Sequence, residues 1–232
     1  MSKRFLAIYT TLLFSAIMLT GCGNQTYVDI NRAAAKKGDA KAQFNVGYCY
    51  YVGVEVPKSY AEAAKWFRKA AEQGHARAQF LLGVCHYTGR GVPKDFEKSV
   101  YWYRKAVEQG YAEAQCNLGW CHENGEGVPK DHKLAVYWYR KAAEQGLKEA
   151  QFNLAICYYE GREGVPKDLK NAVYWSQKAA EQDDADAQCH LGWCHENGEG
   201  VPEDHKLAIY WYRKAAEQGH VGAQKSLKRL GK

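Results

Sequence analysis

The chain has 232 residues, with 32 Lys and Arg against 26 Asp and Glu, a formal net charge of +6. So mild a positive balance, spread along the chain, does not argue for a nucleic-acid partner. The five prolines fall at 57, 93, 129, 166 and 202, three steps of 36 residues and one of 37. Such a period excludes a domain built around one reaction centre and implies stacked units sharing a continuous core and one long surface.

Lys3 and Arg4 precede an apolar run from Phe5 to Leu19, too short and too early for a spanning helix. The run ends in Leu19-Thr20-Gly21-Cys22, which resembles the bacterial lipobox. That resemblance implies cleavage before Cys22, acylation of Cys22 itself, and a mature net charge of +4 once Lys3 and Arg4 are gone. An ordinary cleaved signal peptide or a membrane anchor are the alternatives. Two or three acyl chains, at roughly 0.8 kcal/mol per buried methylene, hold a soluble domain firmly on a membrane. Gly23 stands where many enterobacterial lipoproteins kept at the inner membrane have aspartate, so the outer membrane is the preferred destination within the cell envelope, with the chain facing periplasm or surface. Residues 1–21 are thus assigned to a signal peptide, 22–28 to a lipidated tether and 29–232 to a repeat solenoid. Gly23 to Tyr27 reaches at most about 18 Å, which keeps the solenoid near its membrane.

Arg32, Ala34, Ala35 and Gly38 match Arg68, Ala70, Ala71 and Gly74, so residues 29–38 read as a lone second helix capping the array. Five repeats follow at about 39–74, 75–110, 111–146, 147–183 and 184–219, and residues 220–232 read as a lone first helix closing it. Within a repeat, Ala42, Val46, Cys49 and Tyr50 form one apolar stripe at helical spacing. Gly47, Gly83, Gly119 and Gly192, with Ala155 in the fourth copy, allow close helix approach. A Gly-Val-Pro loop leads to Ser59, Asp95, Asp131, Asp168 or Asp204, each suited to cap a second helix. That helix carries inward alanines and a tryptophan at 66, 102, 138, 175 or 211, and stops at a glycine, replaced by Asp183 in the fourth copy. Glu163 supplies the extra residue of the 37-residue step.

Seven cysteines remain beyond Cys22, an odd number where disulfides are permitted. Cys49, Cys85, Cys121, Cys157 and Cys194 share one slot of the repeat; Cys116 and Cys189 share another that elsewhere holds Phe44, Phe80 or Phe152. Residues five apart on a helix are roughly 8 to 9 Å apart at Cα, too far for a disulfide. These cysteines are expected to be small buried hydrophobes. Cys116 to His122 and Cys189 to His195 each spell C-x4-C-H, a haem-attachment variant. The same slots are already accounted for by the repeat, and residues 114–146 and 187–219 are identical at 30 of 33 positions. One sequence accident, copied, explains both motifs, and neither haem nor zinc nor any other cofactor is expected.

Ala-Gln-x-x-Leu-Gly, Gly-x-Gly-Val-Pro-x-Asp and Trp-Tyr-x-Lys-Ala-Ala-Glu-Gln-Gly closely resemble the Sel1-like repeat, a relative of the tetratricopeptide repeat, over residues 29–232. The resemblance implies an all-α, right-handed superhelical solenoid acting as an adaptor that binds proteins or peptides. It also implies that the first helices line the concave face, which would place Asn45, Leu81, Asn117, Asn153 and His190 there, with Tyr48, Val84, Trp120, Ile156 and Trp193 one turn on. Asn45, Tyr48, Asn117, Trp120, Asn153, Ile156, His190 and Trp193 are the candidate peptide-binding residues, amides for a backbone and large side chains for apolar groups. Packing between repeats is an equal reading of the same rows. A second row, Tyr101, Tyr137, Tyr174 and Tyr210, is expected to pack on the adjacent helix. The runner-up function is a cell-wall-active protein of the cysteine-rich, β-lactamase-like Sel1 type. Those proteins bridge their helices with disulfides, whereas the second helices here contain no cysteine, and no S-x-x-K is present for an acylating serine. No catalytic residue is assigned.

Overall fold

The computed structural model describes residues 26–231; the leader, Cys22 and most of the tether lie outside the described residues. Twelve helices follow in order: α1 Tyr27–Lys36, α2 Ala40–Val52, α3 Tyr60–Glu72, α4 Ala76–Thr88, α5 Phe96–Val107, α6 Ala112–Asn124, α7 His132–Glu144, α8 Lys148–Glu160, α9 Leu169–Ala180, α10 Ala185–Asn197, α11 His205–Glu217 and α12 Val221–Arg229. Among the described residues, the one extended pairing is the isolated bridge between Arg162 and Val165. The chain is an all-α solenoid of five hairpins, α2/α3 through α10/α11, with each second helix also packed on the following first helix.

The breakers and caps act locally as their chemistry demands. Ser59 and the aspartates at 95, 131, 168 and 204 each accept a backbone N–H from the first turn of a second helix, satisfying a donor that the helix itself leaves orphaned. Asp183 adopts the left-handed conformation of the glycine it replaces, at φ 57°, which a side chain pays for with about 1 kcal/mol or more. Thr26 caps α1 through the Asp29 amide, so the helix starts at Tyr27, two residues inside the segment read as tether. Val28 is only 1% exposed, and its amide donates to Glu55 at 2.8 Å.

First and second helices differ in kind. Each second helix is amphipathic and buries alanines, and four of the five bury a ring at one shared position: Phe67, Tyr103, Tyr139 and Tyr212 are at most 1% exposed, with the buried Ser176 taking that place in α9. Each first helix is instead sandwiched between two second helices, so α4 is buried without interruption from Ala78 to His86. Close approach within a hairpin depends on the glycines. A Cβ built on Gly119 would lie 2.9 Å from the ring of Tyr139. In α12 the same position holds Lys228, and no second helix packs there.

A buried glutamine ladder runs through the stack. Gln79 on α4 donates to the Ala71 carbonyl of the preceding repeat at 3.1 Å and accepts from Gln109, beyond its own second helix, at 2.8 Å. Gln43, Gln151 and Gln188 make the same pair of contacts. Each amide thus ties together three helices in a place where an unpaired polar group would cost about 1 to 3 kcal/mol. All seven cysteines from Cys49 onward carry free thiols.

Candidate functional site

The first helices of the last three repeats, α6, α8 and α10, line a concave groove of about 830 Å³. Trp120, Ile156 and Trp193 hold one equivalent position on the three helices, and Asn117, Asn153 and His190 stand one turn earlier. Six of the eight expected residues therefore share this groove.

Asn45 and Tyr48 do not, and this corrects the expectation of a row open along the whole solenoid. Tyr48 is 9% exposed in the core of the first repeats and stacks on Phe44 with centroids 6.0 Å apart. Its counterpart in the second repeat, Val84, is buried in the same cluster, as is Leu81. Phenylalanine fills the neighbouring slot in both repeats, at Phe44 and Phe80. Cysteine fills it at Cys116 and Cys189, and both of those line the groove beside Phe152. The smaller side chain leaves volume that the ring would take. Cys116 is buried as expected, while Cys189 is partly exposed.

The amide row is largely a seam. Asn45 donates to Asn31 at 2.8 Å, Asn117 to the Tyr103 hydroxyl at 3.2 Å, and Asn153 to the Cys116 sulfur at 3.7 Å. His190 Nδ1 is hydrogen-bonded to the Ser176 hydroxyl at 2.8 Å. Each partner lies in the preceding unit, so packing between repeats explains the polar identity of this row. Burial pushes the His190 pKa down to about 4, which keeps a neutral imidazole in the groove wall at neutral pH.

The aromatic row is positioned differently in the two near-identical copies. Trp120 donates its indole N–H to the Tyr87 hydroxyl at 3.1 Å, which in turn donates to Glu126 at 2.6 Å. Trp193 meets Tyr159 edge-on at 5.5 Å, and Tyr159 meets His190 the same way at 5.0 Å. The rim is charged. Glu149 and Asp186 enter from the first turns of α8 and α10. Arg162 bridges Glu123 and Glu160, and Glu123 also accepts from the buried Tyr139 hydroxyl. Arg162 owes its place to the extra residue of the fourth repeat, where Arg162 and Val165 close a tight turn by exchanging backbone hydrogen bonds of 2.8 and 2.7 Å.

The groups that invite a chemical reading are structurally employed. Burial raises the Cys121 pKa to about 12 and lowers that of the neighbouring His122, which keeps a neutral thiol beside a neutral imidazole. His220 lies near Cys189, yet its Nε2 binds Asp186 at 2.9 Å and its Nδ1 accepts the Ala223 amide at 3.1 Å. Neither nitrogen is left to take the thiol proton. Among the described residues, no group of three or more His, Cys, Asp or Glu side chains could hold a metal ion. The arrangement is suited to holding a ligand against aromatic walls. The sequence reading missed Arg162, Cys116, Cys189, Glu149 and Asp186. One available signal was the second residue of each first helix, which reads Lys41, Arg77, Glu113, Glu149 and Asp186 and changes sign between the second and third repeats.

The outer row also departs from expectation. Tyr101, Tyr137, Tyr174 and Tyr210 are 47 to 53% exposed. Each packs edge-on against the tryptophan that follows it, at 4.8 to 5.1 Å, and leaves its other side in solvent.

The Sel1 repeat family profile matches residues 40–75, 76–111, 112–147, 148–184 and 185–220, one residue later than the boundaries read from the sequence. A protective antigen of uropathogenic Escherichia coli with an SLR fold superposes with a TM-score of 0.84 at 38% identity, over 89% of this chain and 44% of that one. A Sel1 repeat protein from Oxalobacter formigenes gives 0.79 at 36% identity, over 88% of this chain and 58% of that one. The secretory immunoglobulin A-binding protein EsiB of Escherichia coli is 40% identical over 69 residues, 30% of this chain and 14% of that protein. The chain thus spans about half, or less, of the length of these relatives. No helix among the described residues is long and apolar enough to cross a membrane.

Proposed function

The chain belongs to the Sel1 repeat family, and from that premise we propose that it is a lipid-anchored scaffold of the bacterial envelope that holds an extended segment of a protein partner in the groove of repeats 3 to 5. Family members generally serve protein–protein interaction. The observation that carries the reading is the convergence of Trp120, Ile156 and Trp193 on one groove. The two indoles stand on first helices two repeats apart, with Ile156 on the first helix between them. A partner that meets all three side chains must run across the three repeats, as an extended segment does. Partly exposed indoles with polar groups at their edges are the side chains most enriched where proteins bind one another. One relative points the same way, being named for binding secretory immunoglobulin A. Anchoring rests on the lipobox at Leu19 to Cys22.

The reading is tested by crosslinked capture from intact envelopes, comparing the wild-type chain with Trp120→Ala plus Trp193→Ala. Loss of the captured protein is expected, and undiminished capture by the double variant would refute the groove. The anchor is tested separately: Cys22→Ser should abolish incorporation of labelled palmitate and leave the leader uncleaved, and palmitate incorporation that survives the change would refute it.

A further inference from the structure

The charge of the molecule is spread along its sequence but not around its surface. On the second helices, the side chains sharing a face with Tyr101, Tyr137, Tyr174 and Tyr210 are those three and four residues away on either side. Of these sixteen positions, eleven are Lys or Arg and one, Glu97, is acidic. That strip holds a third of the 32 Lys and Arg of a chain with a net charge of only +6. Glutamates close it at 108, 144, 181 and 217, and two of the lysines, Lys98 and Lys105, are paired with Asp95 and Glu108. Between these lie exposed cations such as Lys133, Lys141, Lys170 and Lys178. The tyrosines are the common axis: Lys141, Lys178 and Lys214 each lie over the ring one turn before them, at 5.5 to 5.9 Å from its centroid.

From this we infer that the outer face of the second helices of repeats 2 to 5 docks on a bilayer surface bearing anionic phospholipid headgroups. The chemistry fits such a surface on two counts. Tyrosine sits at the boundary between headgroups and acyl chains, its ring apolar and its hydroxyl wet. Lysine and arginine stems lie along apolar surface while their charges reach outward to phosphate, and each cation near an anionic leaflet adds to the attraction. A nucleic-acid duplex would meet the cations, but its bases are already stacked on one another and give no role to four half-exposed rings each backed by tryptophan. This docking does not depend on the groove reading. It would turn the concave groove away from the membrane.

The test uses the full chain carrying Cys22→Ser, so that no acyl group contributes and the leader contributes equally to every variant. Partition is measured by sedimentation with vesicles of phosphatidylcholine alone and of phosphatidylcholine with phosphatidylglycerol. The expected result is at least tenfold stronger partition into the anionic vesicles, lost on Lys141→Glu with Lys178→Glu and retained on Lys141→Arg with Lys178→Arg. Tyr137→Ser with Tyr174→Ser should weaken it several-fold. Should the charge-reversed chain melt early, Lys141→Gln with Lys178→Gln carries the same test. Equal partition of wild-type and charge-altered chains, or tighter binding to a DNA duplex than to anionic vesicles at one salt concentration, would overturn the proposal.

Discussion

Gly83 and Tyr103 are fitted to one another: a Cβ on Gly83 would lie 2.6 Å from the Tyr103 ring, and that ring is completely buried. The fourth repeat solves the same contact the other way round, with Ala155 facing Ser176. Gly83→Ala should therefore destabilise the chain by about 1 to 3 kcal/mol through overpacking, although alanine is the better helix former. In a Tyr103→Ser background the same change should cost less than half as much, read as a non-additive cycle of thermal melts.

The glutamine ladder predicts a comparable cost with no change of volume at a ring. Gln151 donates to the Ala143 carbonyl at 3.2 Å and accepts from Gln182 at 2.9 Å. Gln151→Leu removes both bonds at once, leaving the Ala143 carbonyl with the Gly146 amide and Gln182 with the Gly146 carbonyl, and a loss of about 1 to 3 kcal/mol is expected. Denaturant melts of the variant beside Glu149→Gln, which touches no ladder group, separate this from a general effect of the site.

Much of this was legible from residue types. Asp95 and Asp131 cap because an aspartate after Gly-Val-Pro has a backbone donor within reach, and Gly119 admits Tyr139 because no other residue lacks a Cβ. Such contacts are local or repeat with the period, so spacing alone reveals them. Other features depended on which neighbour a side chain meets in space. Tyr48 and Trp120 occupy one sequence position, yet the first is closed in beside Phe44 and the second stands over the space beside Cys116. Likewise the strip around Tyr137 and Tyr174 emerges only when four helices are laid side by side, because its cations are diluted by acids elsewhere along the chain.

His190 gives the stability a pH dependence that its copy lacks, since the equivalent residue is Asn117. Its pKa is about 4 when folded against 6.5 otherwise. A group whose folded pKa is depressed contributes stability that is complete above 6.5 and is lost as pH falls toward 4. The loss is expected to be up to about 3 kcal/mol. His190→Asn, the residue of the sister copy, should remove most of that slope when melting is followed from pH 7 to pH 4.

The thiols should react in order of exposure. Burial holds Cys85, Cys116, Cys121, Cys157 and Cys194 as thiols with pKa values pushed up to about 12, and the thiolate is the reactive form. Cys189, partly exposed at the groove, should be the first of the seven to react with Ellman's reagent at pH 8. The other six should follow only on addition of denaturant.

The central claim is that the groove across repeats 3 to 5 takes a protein segment. Its most direct test places a photo-crosslinking amino acid at Ile156, between the two tryptophans, and another at Glu62, a partly exposed residue of the first repeat. Irradiation of living cells should yield a discrete crosslinked protein from Ile156 and none from Glu62, with the Ile156 product lost on Trp120→Ala plus Trp193→Ala. The same product from both positions, or one that survives loss of the tryptophans, would contradict the account.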